Sequence, residues 1–325
     1  MTAPPIRVGV LLPTREAVMS GRPDAAPLLE LAECAEAAGY DSVWAGDSLL
    51  ARPRFEPLTL LAAVAARTRR LTLGTAVLLP ALRHPLLLAH QVASLDRIAE
   101  GRLVLGVGIA TDSPPTRREF EAVGVPFEQR AGRLVESLAL CRRLWWARGP
   151  SDRVTVQGRY WTIDRAQVLP TAHRPGGPPI WMGGSAPAAC RRAGQIAEAW
   201  FPTSPSAADF KRGWGLVLDA AREAKRPAGD LTPALYATVR LDDETDLAQQ
   251  AMRRFIEGYY GVPYESIAAR QGCYAGTAKG CAEWLAGFVG AGARHLVLRF
   301  AGSDQREQLE RATAGVLPAV RRAAS

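Results

Sequence analysis

Histidine, lysine and cysteine are all scarce in this 325-residue chain, and each scarcity narrows what the protein can be. The four histidines, His84, His90, His173 and His295, include no HxxxH or HxH pair, so no spacing suits a metal centre and none is expected. The five cysteines (Cys34, Cys141, Cys190, Cys273, Cys281) are odd in number and scattered, with no CxxC spacing. That argues against a disulfide framework or a zinc site and for reduced thiols packed in a core. No apolar run approaches the roughly 18 residues of a membrane span, so no membrane association is expected. The apolar run in the opening MTAPPIRVGVLLPT is too short for a signal peptide, which makes the cytoplasm the expected location. Only three residues are Lys, so Arg supplies 37 of the 40 basic side chains behind the net charge of +8. These arginines are spread along the chain rather than gathered in a stripe, so nucleic-acid binding is not expected. An anionic cofactor or substrate would be served by the same excess.

What the chain does have is a regular alternation of short apolar strands and amphipathic helices, within a composition of 48% hydrophobic and 22% charged residues. Strands are expected at 7–12, 42–45, 71–77, 103–107, 180–182, 199–201, 234–239 and 296–299, with helices between them. The helix at 26–38 closes on Gly39, and those at 57–67 and 85–98 start on proline, as helices favour. Residues 154–163 alternate around Gln157-Gly158 and read as an inserted hairpin. Eight such strand–helix units predict a single (β/α)8 TIM barrel spanning 1–325, with insertions after strands four and seven. A doubly wound dinucleotide fold is the alternative, but strand one runs into Pro13-Thr14-Arg15 instead of a G-x-G-x-x-G loop.

In such barrels the active site lies at the C-terminal strand ends, which selects the residues to weigh. Strand two ends in Asp47-Ser48, a carboxylate and a hydroxyl that could orient a ring, relay a proton or simply cap a turn. Strands three and four end in small residues, Gly74-Thr75-Ala76 and Gly106-Val107-Gly108, which let a flat ligand lie against bare backbone. His84 opens the helix after strand three, and His90 lies further along it, where packing is expected. Met182-Gly183-Gly184-Ser185 leads into a helix with Pro187 in its first turn, an arrangement suited to an anion such as a phosphate. Arg299, ending strand eight, is a candidate anion clamp at the mouth; His295, at the opposite end of that strand, should be structural.

The segments AAGYDSVWAGDS, EPLTLLAAVAARTRRLTLGTAV, LRHPLLLAHQVASLDRIAEGRLVLGVG, PFEQRAGRLVESL and PPIWMGGSAPAACRRAG, in this order, resemble the bacterial luciferase-like monooxygenase superfamily. That resemblance implies a barrel that binds FMN or the deazaflavin F420, with the ring over strands two to four. It places Thr75, Ala76, Val77, Gly108, Ile109 and Thr111 against the ring, a non-prolyl cis peptide at Ala76-Val77, and the cofactor phosphate on Met182, Gly183, Gly184 and Ser185. It implies a homodimer through the helices at 57–67 and 85–98. Many members carry His after the acid that ends strand two, where this chain has Ser48, and the strand-four end Ile109-Ala110-Thr111-Asp112 also departs from the usual Gly-rich, Glu-containing version. A serine does not titrate near neutral pH, so Asp47, Asp112 or His84 is left to handle protons.

The leading expectation is a monooxygenase that uses reduced FMN, supplied by a separate reductase, and O2 on a small organic substrate. The alternative is an F420-dependent oxidoreductase that moves a hydride to or from an organic substrate, with its own F420 reductase. A non-catalytic flavin-binding barrel is the reading of another class. The loops at 111–125, 165–177 and 259–276 would set the substrate, the last as an aromatic lid carrying Tyr259, Tyr260, Tyr264 and Tyr274.

Overall fold

A computed structural model describes residues 5–146 and 152–322. The strand–helix alternation also predicts a closing helix at 305–323, whose last residue lies outside the described residues. The chain folds as a (β/α)8 barrel, matching solved barrels along nearly its whole length. Its strands are β1 (Arg7–Leu11), β2 (Ser42–Ala45), β3 (Thr72–Thr75), β4 (Leu103–Val107), β5 (Val154–Gln157), β6 (Thr162–Ala166), β7 (Ile180–Gly183), β8 (Ala199–Phe201), β9 (Thr232–Leu241), β10 (Cys273–Gly276) and β11 (His295–Phe300). β5 and β6 form the inserted antiparallel hairpin, with Val156 opposite Ile163.

Contacts divide the chain into two compact units. The first comprises the residues up to Pro13, Ala26–Trp44 and everything from Trp181 onward. In it β1 lies between β11 and β2, with Gly9 opposite both Val297 and Ser42. β9 pairs with β11 and β8, and β8 pairs with β7, all in parallel. Its core is aromatic: Trp44 stands 4.8 Å from Trp181 and 4.9 Å from Phe201, ring centre to ring centre. His295 meets Trp181 edge-on at 4.9 Å. Trp44 Nε1 donates to Ser42 Oγ at 2.8 Å, and the same oxygen stands 2.7 Å from His295 Nε2, within hydrogen-bond distance. Burial, reinforced by the charge of Arg7, pushes the His295 pKa down to about 3, so the imidazole is a neutral core residue, as its position in the sequence suggested.

β9 extends past its partner β11, whose Phe300 sits opposite Val239. At this overhang, which is buried, the Gln308 side chain accepts from Leu241 N at 2.8 Å and donates to Leu241 O at 3.0 Å. β10 pairs along the same end of β9, with Gly276 opposite Leu241. The segment 259–276, expected as a lid, is largely regular: the helix Thr245–Tyr260 runs into it, and the short helix Tyr264–Ala268 and β10 follow.

The second unit comprises Thr14–Ala25 and Ala45–Ile180. β3 pairs in parallel with β4, Leu73 opposite Leu103. Residues 111–125, expected as a loop, contain the helix Pro114–Ala122, started by Ser113, whose hydroxyl accepts from Thr116 N, and by proline in the first turn. Phe120 from this helix packs with Phe127 and Ala81. The hairpin is fastened to the helix Arg130–Trp146 by Glu136, which accepts from the backbone N–H groups of Arg159, Tyr160 and Trp161 at 2.9 to 3.0 Å. All five cysteines are free thiols, and burial raises the pKa of Cys273 to about 11. No helix among the described residues is long and apolar enough to cross a membrane.

Candidate functional site

In the second unit the ends of β2, β3 and β4 converge on one short run of backbone. The Ala76–Val77 peptide is cis, and Ala76 N donates to Ala45 O at 2.8 Å. Val77 lies over Gly108, where any Cβ would come within 2.6 Å of a Val77 methyl, so only glycine admits this turn. Thr75 turns its hydroxyl to Gly106 O at 2.6 Å, which commits the side chain to packing and leaves backbone as what the strand end can offer. Ala110 adopts a φ of 62°, a left-handed conformation that costs a non-glycine residue about 1 kcal/mol. Ile109 is half-buried and Thr111 exposed.

Asp47 is fully engaged. One carboxylate oxygen accepts from Leu79 N at 2.9 Å and from Arg83 Nη1 at 2.6 Å; the other accepts from Arg83 Nη2 at 3.1 Å. Arg83 also reaches Glu56 at 3.2 Å, whose second oxygen caps the helix Pro57–Arg67 through Thr59 N. Burial works against the charged guanidinium, but the Asp47 and Glu56 carboxylates outweigh it and raise the Arg83 pKa. The Asp47 side chain is only 6% exposed, so its charge is tied to this pair. Ser48 donates to Glu119 Oε1 at 2.9 Å and accepts from Arg52 N at 2.8 Å.

His84 caps the helix Pro85–Ile98: its Nδ1 accepts from Leu86 N at 3.3 Å, which puts the proton of the neutral ring on Nε2. The ring stands edge-on to Trp161 of the hairpin, 4.9 Å away, and is exposed. His90, further along the helix, is exposed too. Asp112 is not drawn into this group; it pairs with Arg117 on the surface at 2.7 Å.

In the first unit, Met182 is buried while Gly184 and Ser185 are exposed. Gly184 has a φ of +110°, open only to glycine, and its carbonyl accepts from Trp200 Nε1 at 2.9 Å. The helix Pro187–Ile196 follows, and Ala186 at its cap supplies no side-chain acceptor for the first turn. An uncapped helix start behind an exposed glycine turn fits an anionic group. Arg299, expected as a clamp at the mouth, is instead buried at 2% exposure. Its guanidinium stacks over Tyr259 at 3.7 Å and Phe255 at 4.6 Å and donates to Tyr260 Oη at 3.1 Å. Tyr259 is thus part of the packing around a buried cation rather than of an open lid.

Sequence reasoning missed Arg83, Glu119 and Trp161. Each acts on a partner more than 30 residues away, which no local pattern encodes. Among the described residues no cluster of side chains could hold a metal ion.

Comparison with known proteins adds to this picture. The profile of the luciferase-like monooxygenase family matches residues 6–295. An F420-dependent glucose-6-phosphate dehydrogenase from Nakamurella multipartita is 32% identical, the alignment covering 99% of this chain and 98% of that protein. The enzyme of the same name from Mycobacterium tuberculosis is 27% identical over 91% of this chain and 94% of its own. Among solved structures, an F420-dependent secondary alcohol dehydrogenase in complex with an F420–acetone adduct superimposes with a TM-score of 0.84 at 20% identity, covering 98% of this chain and 99% of that one. The monooxygenase RslO1 from Streptomyces bottropensis does so with a TM-score of 0.77 at 21% identity, covering 96% and 99%.

Proposed function

Since the chain belongs to the luciferase-like monooxygenase family, we propose that it is an F420-dependent oxidoreductase that exchanges a hydride with a small organic substrate. The observation that carries this reading is the end-to-end likeness, at 32% identity, to a protein named an F420-dependent glucose-6-phosphate dehydrogenase. It reverses the order of the two expectations drawn from the sequence, because both sequence relatives described above are named for F420 and the oxygenase RslO1 enters through the fold.

The residues present fit such a cofactor. The cis turn at Ala76–Val77, packed on Gly108, offers bare backbone to a flat ring, beside which we place Thr75, Ile109 and Thr111. The exposed turn Gly183, Gly184 and Ser185, after the buried Met182, offers an uncapped helix start to a phosphate. When bound, F420 supplies two-electron hydride chemistry without activating oxygen. The chain's part is to orient the ring and to manage the accompanying proton. Asp47, held by Arg83 and Leu79 N, orients through its fixed charge; Ser48, with its hydroxyl committed to Glu119, holds the turn. His84 keeps its Nε2–H exposed and uncommitted to Leu86, and is the group we assign to hydrogen-bond the substrate atom that gains the proton, the proton itself coming from solvent.

A substrate class follows from Ser48. Abstracting a proton from an alcohol calls for a titrating base beside Asp47, and Ser48 is not one. Reduction of a carbonyl or of an activated double bond, with His84 Nε2–H bonded to the substrate and the proton drawn from solvent, suits this chain better than oxidation of a sugar phosphate. The helices Pro57–Arg67 and Pro85–Ile98 form the proposed homodimer face, on which Leu87 is 62% and Ile98 51% exposed.

Spectroscopic titration of the purified protein with F420 and, separately, with FMN tests the reading. Saturable binding of F420 with weak or no binding of FMN is the expected result; the reverse preference restores the monooxygenase reading. Binding of neither overturns both.

A further inference from the structure

The helix Pro114–Ala122 carries a carboxylate that the proposed chemistry does not use. Glu119 is 1% exposed, and its Oε1 takes three donors from three consecutive residues of the turn after β2: the Ser48 hydroxyl at 2.9 Å, Leu49 N, and Leu50 N at 2.8 Å. The turn closes on itself through Arg52 N, which donates to Ser48 Oγ at 2.8 Å. A loop that had only to connect a strand to a helix would leave its N–H groups to water. Here a charge from a helix about 70 residues away is buried to collect them. Two adjacent peptide planes are thereby fixed with their N–H groups pointing the same way, directly downstream of Asp47. Arg83 clamps Asp47 itself, and Glu119 clamps the next three residues. The exposed Leu49 and Leu50 side chains, 55% and 52% accessible, are held on the outside of the turn as a result.

We infer that Glu119 is a positioning residue for the oxidoreductase reaction, a fixed acceptor that sets the Ser48–Leu50 turn and so the orientation of Asp47 toward the cofactor ring. It is not a proton carrier: its bonds ask only for an acceptor oxygen. The inference rests on the F420 reading for its catalytic meaning and on the hydrogen bonds alone for its structural one.

The two demands separate in a set of variants. Glu119→Gln keeps an acceptor at Oε1, so F420 affinity and kcat/KM should stay within about threefold of the parent, with an unchanged pH profile. Glu119→Ala should lower F420 affinity and kcat/KM about tenfold or more, while hydrogen exchange at the Leu49 and Leu50 amides accelerates. Ser48→Ala removes one of the three donors and should fall between them, which keeps the test open if Glu119→Ala does not fold. Loss in Glu119→Gln equal to that in Glu119→Ala, with a shifted pH profile, would make Glu119 a proton carrier and overturn the inference. Unchanged affinity and turnover in folded Glu119→Ala would overturn it as well. If the parent protein binds FMN instead of F420, the cofactor reading fails by itself, and the same comparison is read with FMN. If the parent binds neither, both fall, whatever the exchange rates show.

Discussion

The end of β2 and the turn after β7 are built on opposite plans. At the first, the polar side chains have protein partners: Asp47 meets Arg83 and Leu79, and Ser48 and the two following N–H groups meet Glu119. At the second, Gly184 and Ser185 stand exposed before a helix without a side-chain cap. Saturated polar groups in a buried place make shape, because none can be moved without stranding another. Bare backbone at a helix start makes affinity, because its field is unspent. The contrast is between a strand end whose polar side chains are used internally and a turn whose backbone stays exposed.

The comparison breaks most visibly at Arg83. Arg83→Ala leaves Asp47 as a nearly buried charge without its counter-ion and should cost about 3 kcal/mol in urea unfolding. Adding Asp47→Asn to that variant should recover part of the loss; equal stability of parent and single variant would show that the pair does not organise this strand end. Acid probes the same kind of saturation elsewhere. The His295 pKa is about 3 in the fold against 6.5 when free, so the unfolded chain takes up the proton first. Stability is therefore complete above pH 6.5 and falls on acidification, by roughly 1.4 kcal/mol per unit from this group. Thermal melts of parent and His295→Gln across pH 4.5–7.5 check this: the variant, although less stable, should lose about one proton's worth of slope. An identical slope would remove His295 as its origin.

The bare turn should respond in the other direction. Ser185→Asp places a carboxylate where a phosphate is proposed, so F420 affinity should fall about tenfold while stability moves by less than about 0.5 kcal/mol. A folded variant with unchanged affinity would put the phosphate elsewhere. Smallest in its effect on the fold is Leu87→Arg on the proposed dimer face. It should leave the melting temperature of dilute protein within about 2 °C and shift elution from dimer to monomer. A parent that already elutes as a monomer contradicts the interface.

What the sequence made legible was whatever depends on short-range order. Strand positions, the hairpin around Gln157-Gly158, the glycine turn before Pro187 and the family pattern that implied a cis bond at Ala76–Val77 are all local, and the structure contains each, with strand bounds shifted by up to two residues. What escaped depends on partners far along the chain. The Ser113-Pro114 start of a helix was visible, but a short polar helix with one apolar stripe reads as a loop until Phe120 is seen to pack on Phe127. Arg299 was placed at the mouth because a strand-end arginine is ordinarily solvated. Rings contributed by Phe255, Tyr259 and Tyr260, some 40 residues earlier, make its burial tolerable. Asp47 and Ser48 were legible as polar groups after a strand; that Arg83 and Glu119 would claim them required the fold.

Gln308 carries a consequence of a different kind. Where one strand outruns its neighbour, the unpaired N–H and C=O of the overhang are a template on which another chain can add itself. At Leu241 that template is already filled, by a side-chain amide that offers the same donor and acceptor a neighbouring backbone would. One glutamine thus acts as a single residue of an absent strand and closes the overhang to recruitment. The long β9, with β10 along one flank and the buried Gln308 on Leu241, ends without an unpaired backbone group at Leu241.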